Sequence, residues 1–126
     1  MVNIKMRYEF KNITPSGEIL PNCVNRAISL ATGVDYNKVE EKLELVSALL
    51  ECSKLCVCCY EFLLNEVFRL KELEDKEISI KDFAENHKEG IYLLRVDGHI
   101  SCLMDNVLYD LFDCSDEIIT KCWKVE

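Results

Sequence analysis

The chain has 126 residues, 49% of them apolar, and 15 basic against 23 acidic residues give it a net charge of −8. That length fits one domain over 1–126, and an acidic balance with scattered basic residues repels phosphate backbones, so no nucleic acid is expected as a partner. No uncharged apolar run approaches the roughly 18 residues a membrane span needs, and the N-terminus lacks a secretion signal. A soluble protein with no membrane partner is therefore expected, cytoplasmic in a cell or in an infected host. In such a compartment its eight cysteines should remain thiols.

The first 22 residues, which hold both prolines, predict a short strand, a turn at "TPSG" and an extended approach. From Cys23 the pattern changes: Val24, Ala27, Ile28 and Ala31 recur at steps of three and four, and Gly33 is placed to cap the end. A short helix starting at or beside Cys23 follows. A second helix begins after Asp35 as N-cap, with Val39, Leu43, Val46, Leu49 and Leu50 as its buried stripe. Helical periodicity then resumes or continues through "CVCCYEFLLNEVFRLKEL". Ser79 with Asp82 makes a capping-box pattern, Ile78 and Phe83 a hydrophobic staple, and Gly90 a stop, predicting a helix over about 80–88.

The remainder reads as β-structure: "IYLLRV", "HISCLM", "NVLYDLF" and a last strand near "EIITKCWKV". Asp105 and Asn106 tolerate positive φ and suit a two-residue hairpin turn. Helices first and a meander after predict an α+β fold, with N-terminal helices packed on a C-terminal antiparallel β-sheet.

A nucleophilic cysteine needs thiolate character, which the N-terminal end of a helix supplies through unpaired N–H groups and the positive end of the dipole. Cys23 is placed there, and its polar neighbours Asn22, Asn25 and Arg26 put its sulfur at an exposed helix start. A thiolate also needs a base. Of the two histidines, His87 ends a surface helix, whereas His99 opens a strand at the rim of the sheet. With a two-residue turn at 105–106, Ser101 faces Asp110 and His99 faces Phe112, so all four share one sheet face. Asp110 then lies diagonally across from His99, about 7–8 Å away between Cα atoms and within reach of the side chains. Asp113 falls on the opposite face and Asp105 in the turn.

Cys52, Cys56 and Cys59 step by four and three along one helical face with Leu45, Leu49 and Leu63, the pattern of a core stripe. Zinc would need four converging ligands, here three from one helix with His87 or Cys58, so no metal is expected. Cys102, Cys114 and Cys122 sit among apolar strand residues as packing groups, with Cys102 facing away from His99. The runs "EEKLE" and "KELEDKE" read as solvated helix faces.

"NCVNRAISLATGVDYNKV" and "GIYLLRVDGHISCLMDNVLYDLFD" together resemble the papain-like cysteine peptidase superfamily, in particular small, often phage-encoded members similar to peptidases that process bacteriocin leaders. The resemblance spans about 22–50 and 78–125. It implies a papain-like fold and a Cys-His-Asp triad of Cys23, His99 and Asp110, acting without a cofactor on a protein or peptide substrate. The superfamily usually holds the oxyanion with a glutamine upstream of the cysteine, and this chain has no glutamine. An oxyanion hole would then use the Cys23 N–H with another donor, Asn22 or Asn12 being the nearest candidates. The expected function is a cysteine peptidase or related thiol hydrolase or acyltransferase; the alternative is a catalytically degenerate papain-like fold serving as a protein-interaction module.

Overall fold

A computed structural model describes residues 5–18, 22–54 and 56–126. Among them the elements run β1 (Arg7–Phe10), α1 (Cys23–Thr32), α2 (Tyr36–Leu50), α3 (Val57–Phe62), a π-helical turn (Leu63–Val67), β2 (Lys71–Leu73), α4 (Ile80–Asn86), β3 (Ile91–Val96), β4 (His99–Met104), β5 (Val107–Asp110) and β6 (Lys121–Lys124). The class is α+β.

The helix boundaries follow local chemistry. α1 starts at Cys23 and ends where Gly33, at φ 76°, donates its N–H to the Ser29 carbonyl at 3.0 Å. At the head of α2 the Asp35 carboxylate accepts the Asn37 N–H at 3.0 Å, and at the head of α4 the Ser79 hydroxyl accepts the Asp82 N–H at 3.2 Å. Gly90 lies beyond the end of α4 instead of stopping it; a Cβ there would meet the Glu126 carbonyl at 2.7 Å. The turn at Thr14–Gly17 forms, closed by the Gly17 N–H on the Thr14 carbonyl at 2.8 Å. The approach through 19–21 lies outside the described residues.

After α2 the helical periodicity resumes in α3 instead of continuing. Glu51 adopts a left-handed conformation at φ 54°, and the chain turns before resuming as α3. Within α2, Val39, Leu43 and Val46 are buried, but Leu45 and Leu49 are 71% and 69% exposed and Leu50 is exposed too. Leu49 and Leu50 therefore leave the expected core stripe, and the cysteines beyond the break no longer align with Leu45 and Leu49. "KEL" at 71–73, read as helix, is β2. It follows the π-helical turn and pairs antiparallel with β6, and Asn65 in that turn accepts the Trp123 indole N–H at 2.8 Å.

The six strands form one sheet in the order β1-β5-β4-β3-β6-β2. It is mixed, not the C-terminal antiparallel sheet expected, since β1 pairs parallel to β5 and the mid-chain β2 closes the other edge. The β4–β5 hairpin has the anticipated pairing, Met104 with Val107 and Cys102 with Tyr109, around Asp105 and Asn106 at φ 46° and 70°. Side chains then alternate. Ile100, Cys102, Leu93 and Trp123 join the core beneath α1, α2 and α3, while Leu103, Leu108, Leu94 and Cys122 join a second core with Phe83 of α4.

Candidate active site

α1 packs on β4 so that its first turn meets the first residues of that strand. A cleft of about 500 Å³ lies at this junction, with Cys23, His99, Tyr60 and Arg95 among its walls. The N–H groups of a helix's first turn have no intrahelical acceptor. The Asn22 side chain does not cap those of α1.

The Cys23 sulfur faces the His99 ring and the Ile100 backbone N–H. Burial pushes its pKa up, but hydrogen bonding to His99 and Ile100, with the charges of His99 and Arg26, outweighs burial and holds the thiol below its ordinary value. For His99, burial disfavours the cation; hydrogen bonds to Asp110, Cys114 and Cys23 and the Asp110 charge overcome it and carry the imidazole up to about 11. Both shifts act in the direction of a thiolate–imidazolium pair.

His99 Nε2 lies 2.6 Å from Asp110 Oδ2, which leaves Nδ1 as the ring nitrogen for the cysteine side. Asp110 is buried because β1 covers β5: Phe10 pairs with it, the Lys11 N–H donates to its carbonyl at 3.0 Å, and the Tyr8 hydroxyl donates to the same carbonyl at 3.1 Å. Burial opposes ionisation of its carboxyl. His99 above all, then the facing Ser101 hydroxyl and the Leu111 N–H, hold its pKa below the usual carboxylate range. The Ser101 hydroxyl is buried and meets no hydrogen-bond partner at ordinary geometry. Phe112 rests against the His99 ring at 4.8 Å between centroids.

Arg26 is the residue that sequence reasoning missed. As a polar neighbour of Cys23 it signals, with Asn25, an exposed helix start, yet both are buried. Arg26 Nη2 donates to Asp110 Oδ1 at 3.2 Å and Nη1 to Asn22 Oδ1 at 2.9 Å, so one guanidinium ties the residue before the cysteine to the residue behind the histidine. Asn25 donates to Glu40. The available signal was spacing: Arg26 lies one turn beyond Asn22 and Cys23 on the same helical face.

Asn22, expected as an oxyanion donor, has its amide N–H groups directed to the Thr14 and Tyr36 hydroxyls. Asn12 is committed to the Thr14–Gly17 turn, donating to the Gly17 and Glu18 carbonyls at 3.2 Å. Neither amide is free to meet an oxyanion without breaking these bonds. Tyr60 of α3 is different: it is buried and lines the cleft, and burial above all, with the nearby Glu61 and Cys23 charges adding to it, raises its pKa to about 12 against the Arg95 guanidinium beside it. Because arginine only donates, the Tyr60 oxygen receives from Arg95 and keeps its own proton to give.

The remaining expected residues lie elsewhere. His87 caps the end of α4 and stacks on Phe83 at 3.9 Å between ring centroids. Cys102 and Cys122 are buried in the two cores. Cys114 is buried too, but its thiol donates to Asp110 Oδ2 at 3.7 Å, at the back of the site. Asp113 is exposed. Among the described residues no helix is long and apolar enough to cross a membrane. Comparisons with protein-family models, characterised proteins and solved structures return no match.

Proposed function

We propose that the chain is a papain-like thiol hydrolase, a cysteine peptidase acting on peptide or protein substrates without a cofactor. The observation that carries this reading is Cys23 at the start of α1, facing a His99 whose far nitrogen is held at 2.6 Å by the buried Asp110. An imidazole fixed at Nε2 and directed at a thiol through Nδ1 has the geometry of a nucleophile–base–orienter set.

In this mechanism the Cys23 thiolate attacks the substrate carbonyl carbon and the carbonyl oxygen becomes an oxyanion. The His99 imidazolium passes its Nδ1 proton to the leaving amine as the C–N bond breaks, leaving an acyl-thioester on Cys23. Neutral His99 then takes a proton from water, the hydroxide attacks the thioester, and the carboxylic acid leaves as the thiolate is restored. Asp110 stays ionised throughout and stabilises the imidazolium.

The oxyanion needs donors in place of the missing glutamine side chain. The Cys23 N–H at the helix start is one, and the Tyr60 hydroxyl, protonated throughout the neutral range, is the second. Tyr60→Phe keeps the ring and removes this donor. It is expected to lower kcat by about 10²-fold with KM little changed, because the bond strengthens only in the transition state. An unchanged kcat would dismiss Tyr60 from the oxyanion hole.

The reading is tested by incubating the purified chain with a diverse peptide library and following cleavage by mass spectrometry, beside a Cys23→Ala chain. Cleavage by the wild type that disappears in Cys23→Ala is the expected result. If neither cleaves and the chain's cellular effect survives Cys23→Ser, the fold serves as an interaction module instead, the outcome that the absent glutamine favours.

A further inference from the structure

We infer that Cys52, Cys56 and Cys58 form a three-thiolate site for zinc(II). It lies outside the Cys23 site and is independent of the function proposed there.

Spacing alone puts Cys52 and Cys56, with Cys59, in a core stripe. The turn after α2 limits that explanation, because Cys52 and Cys56 only flank the core, half-buried against its edge. Of the four neighbouring cysteines only Cys59 is fully buried, its thiol donating to the Leu43 carbonyl at 3.5 Å. Cys52 and Cys56 are half-buried and Cys58 is exposed. Free cysteine prefers burial, so an exposed Cys58 thiol gathered with two half-buried ones at the core's edge calls for another account.

Their sulfurs converge. All three lie within 4.8 Å of one another, and the Cys56 and Cys58 sulfurs are 2.8 Å apart. Tetrahedral zinc with Zn–S bonds near 2.3 Å sets its sulfurs about 3.8 Å apart, inside the spread seen here and reached by side-chain rotation. The backbone beneath them is already shaped. The Cys52 N–H donates to the Ser47 carbonyl at 3.1 Å, the Cys56 N–H to the Ser53 carbonyl at 2.9 Å, and the Cys59 N–H to the Cys56 carbonyl at 3.0 Å. Ligands thus come from a tight turn and the first turn of α3, not from one helix face.

Soft thiolates select zinc or copper(I) over magnesium and calcium. Binding converts three thiols to thiolates, releases three protons and leaves a Zn(S)₃ unit of charge −1, with water in the fourth position. Val57, between two of the ligands, also lines the cleft beside Cys23, so the ion would hold that wall of the cleft in place.

The test is a cobalt(II) titration of the full chain under a non-thiol reductant. One equivalent is expected to produce a thiolate-to-cobalt charge-transfer band with tetrahedral visible absorption, both erased by zinc(II). Cys58→Ser, an exposed change that leaves the fold intact, is expected to abolish the band at stoichiometric cobalt, whereas Cys23→Ser keeps it. Absence of the band in the reduced wild type overturns the proposal. So does a band that survives Cys58→Ser, or a reduced chain that takes up no metal and on air exposure loses two hydrogens in a Cys56–Cys58 disulfide.

Discussion

Replacing His99 by alanine is expected to move the pH midpoint for alkylation of Cys23 upward, past the ordinary thiol value of about 8.5. In the wild type, burial alone would raise that thiol; hydrogen bonding and charge from His99, the Ile100 N–H and Arg26 reverse the effect. Removing the imidazole leaves burial opposed only by the last two. Each unit of upward shift lowers the thiolate fraction at pH 6 about tenfold. Iodoacetamide labelling from pH 5 to 9, with peptide mapping to separate Cys23 from the other thiols, reads the shift directly. On a cleaved substrate the same change is expected to lower kcat on the order of 10⁴-fold or more. Above the neutral range the wild-type pair fails in the other direction, as His99 loses its proton near pH 11. Equal midpoints in wild type and His99→Ala would falsify the activated-thiolate pair.

The second large effect concerns the charge network behind the histidine. Arg26 and Asp110 form an ion pair at 3.2 Å whose side chains are 4% and 1% exposed. Removing one partner of such a pair strands the other away from water, at about 3–5 kcal/mol. Asp110→Ala is expected to cost that much, read as a lower denaturation midpoint with an unchanged m-value. The double change Arg26→Met with Asp110→Leu is expected to recover much of the loss, since both charges leave together, while Cys23 keeps the depressed reactivity of a chain lacking its orienting acid. A single Asp110→Ala change within about 0.5 kcal/mol of wild type would mean that the pair contributes nothing.

Both ionisations also give this network a pH signature. The Asp110 pKa is depressed on folding, so its stabilisation is present at neutral pH and lost as pH falls through the folded value, below the ordinary carboxylate range. The His99 pKa is raised, so its contribution is full below about 6.5, the unfolded value, and declines as pH rises toward about 11. Cys23, whose pKa is depressed on folding, gains stabilisation over the lower part of that window and offsets the His99 decline. Stability of the wild type is therefore expected to slope downward only above the ordinary thiol value, toward about pH 11, and that slope should flatten in His99→Ala.

Several of the features that carry the candidate site were legible because they are local. A helix start at Cys23, its glycine stop at 33, the caps at Asp35 and Ser79, and the two-residue turn at 105–106 each depend on a few adjacent residues with known dihedral preferences. The turn is the most consequential. Once its length is known, alternation along two strands puts His99 and Asp110 on one face, and the 2.6 Å contact follows from covalent geometry.

Tertiary structure decided the rest, because those features depend on residues far apart in the chain. Helical periodicity resumes or continues across 50–57, and Glu51, in a left-handed conformation, separates α2 from α3, which leaves Cys59 in the core, Cys52 and Cys56 at its edge and Cys58 exposed. β1 joins β5 in parallel, a pairing that spans about the whole chain and has no local signature; it buries Asp110. Arg26 reads from sequence as a charge marking solvent, and only the fold supplies the carboxylate, 84 positions away, that allows it to be buried. Adjacent residues specify where helices and turns begin and end. Whether a polar side chain faces water or a partner is settled by which distant groups the packed chain brings within about 3 Å of it.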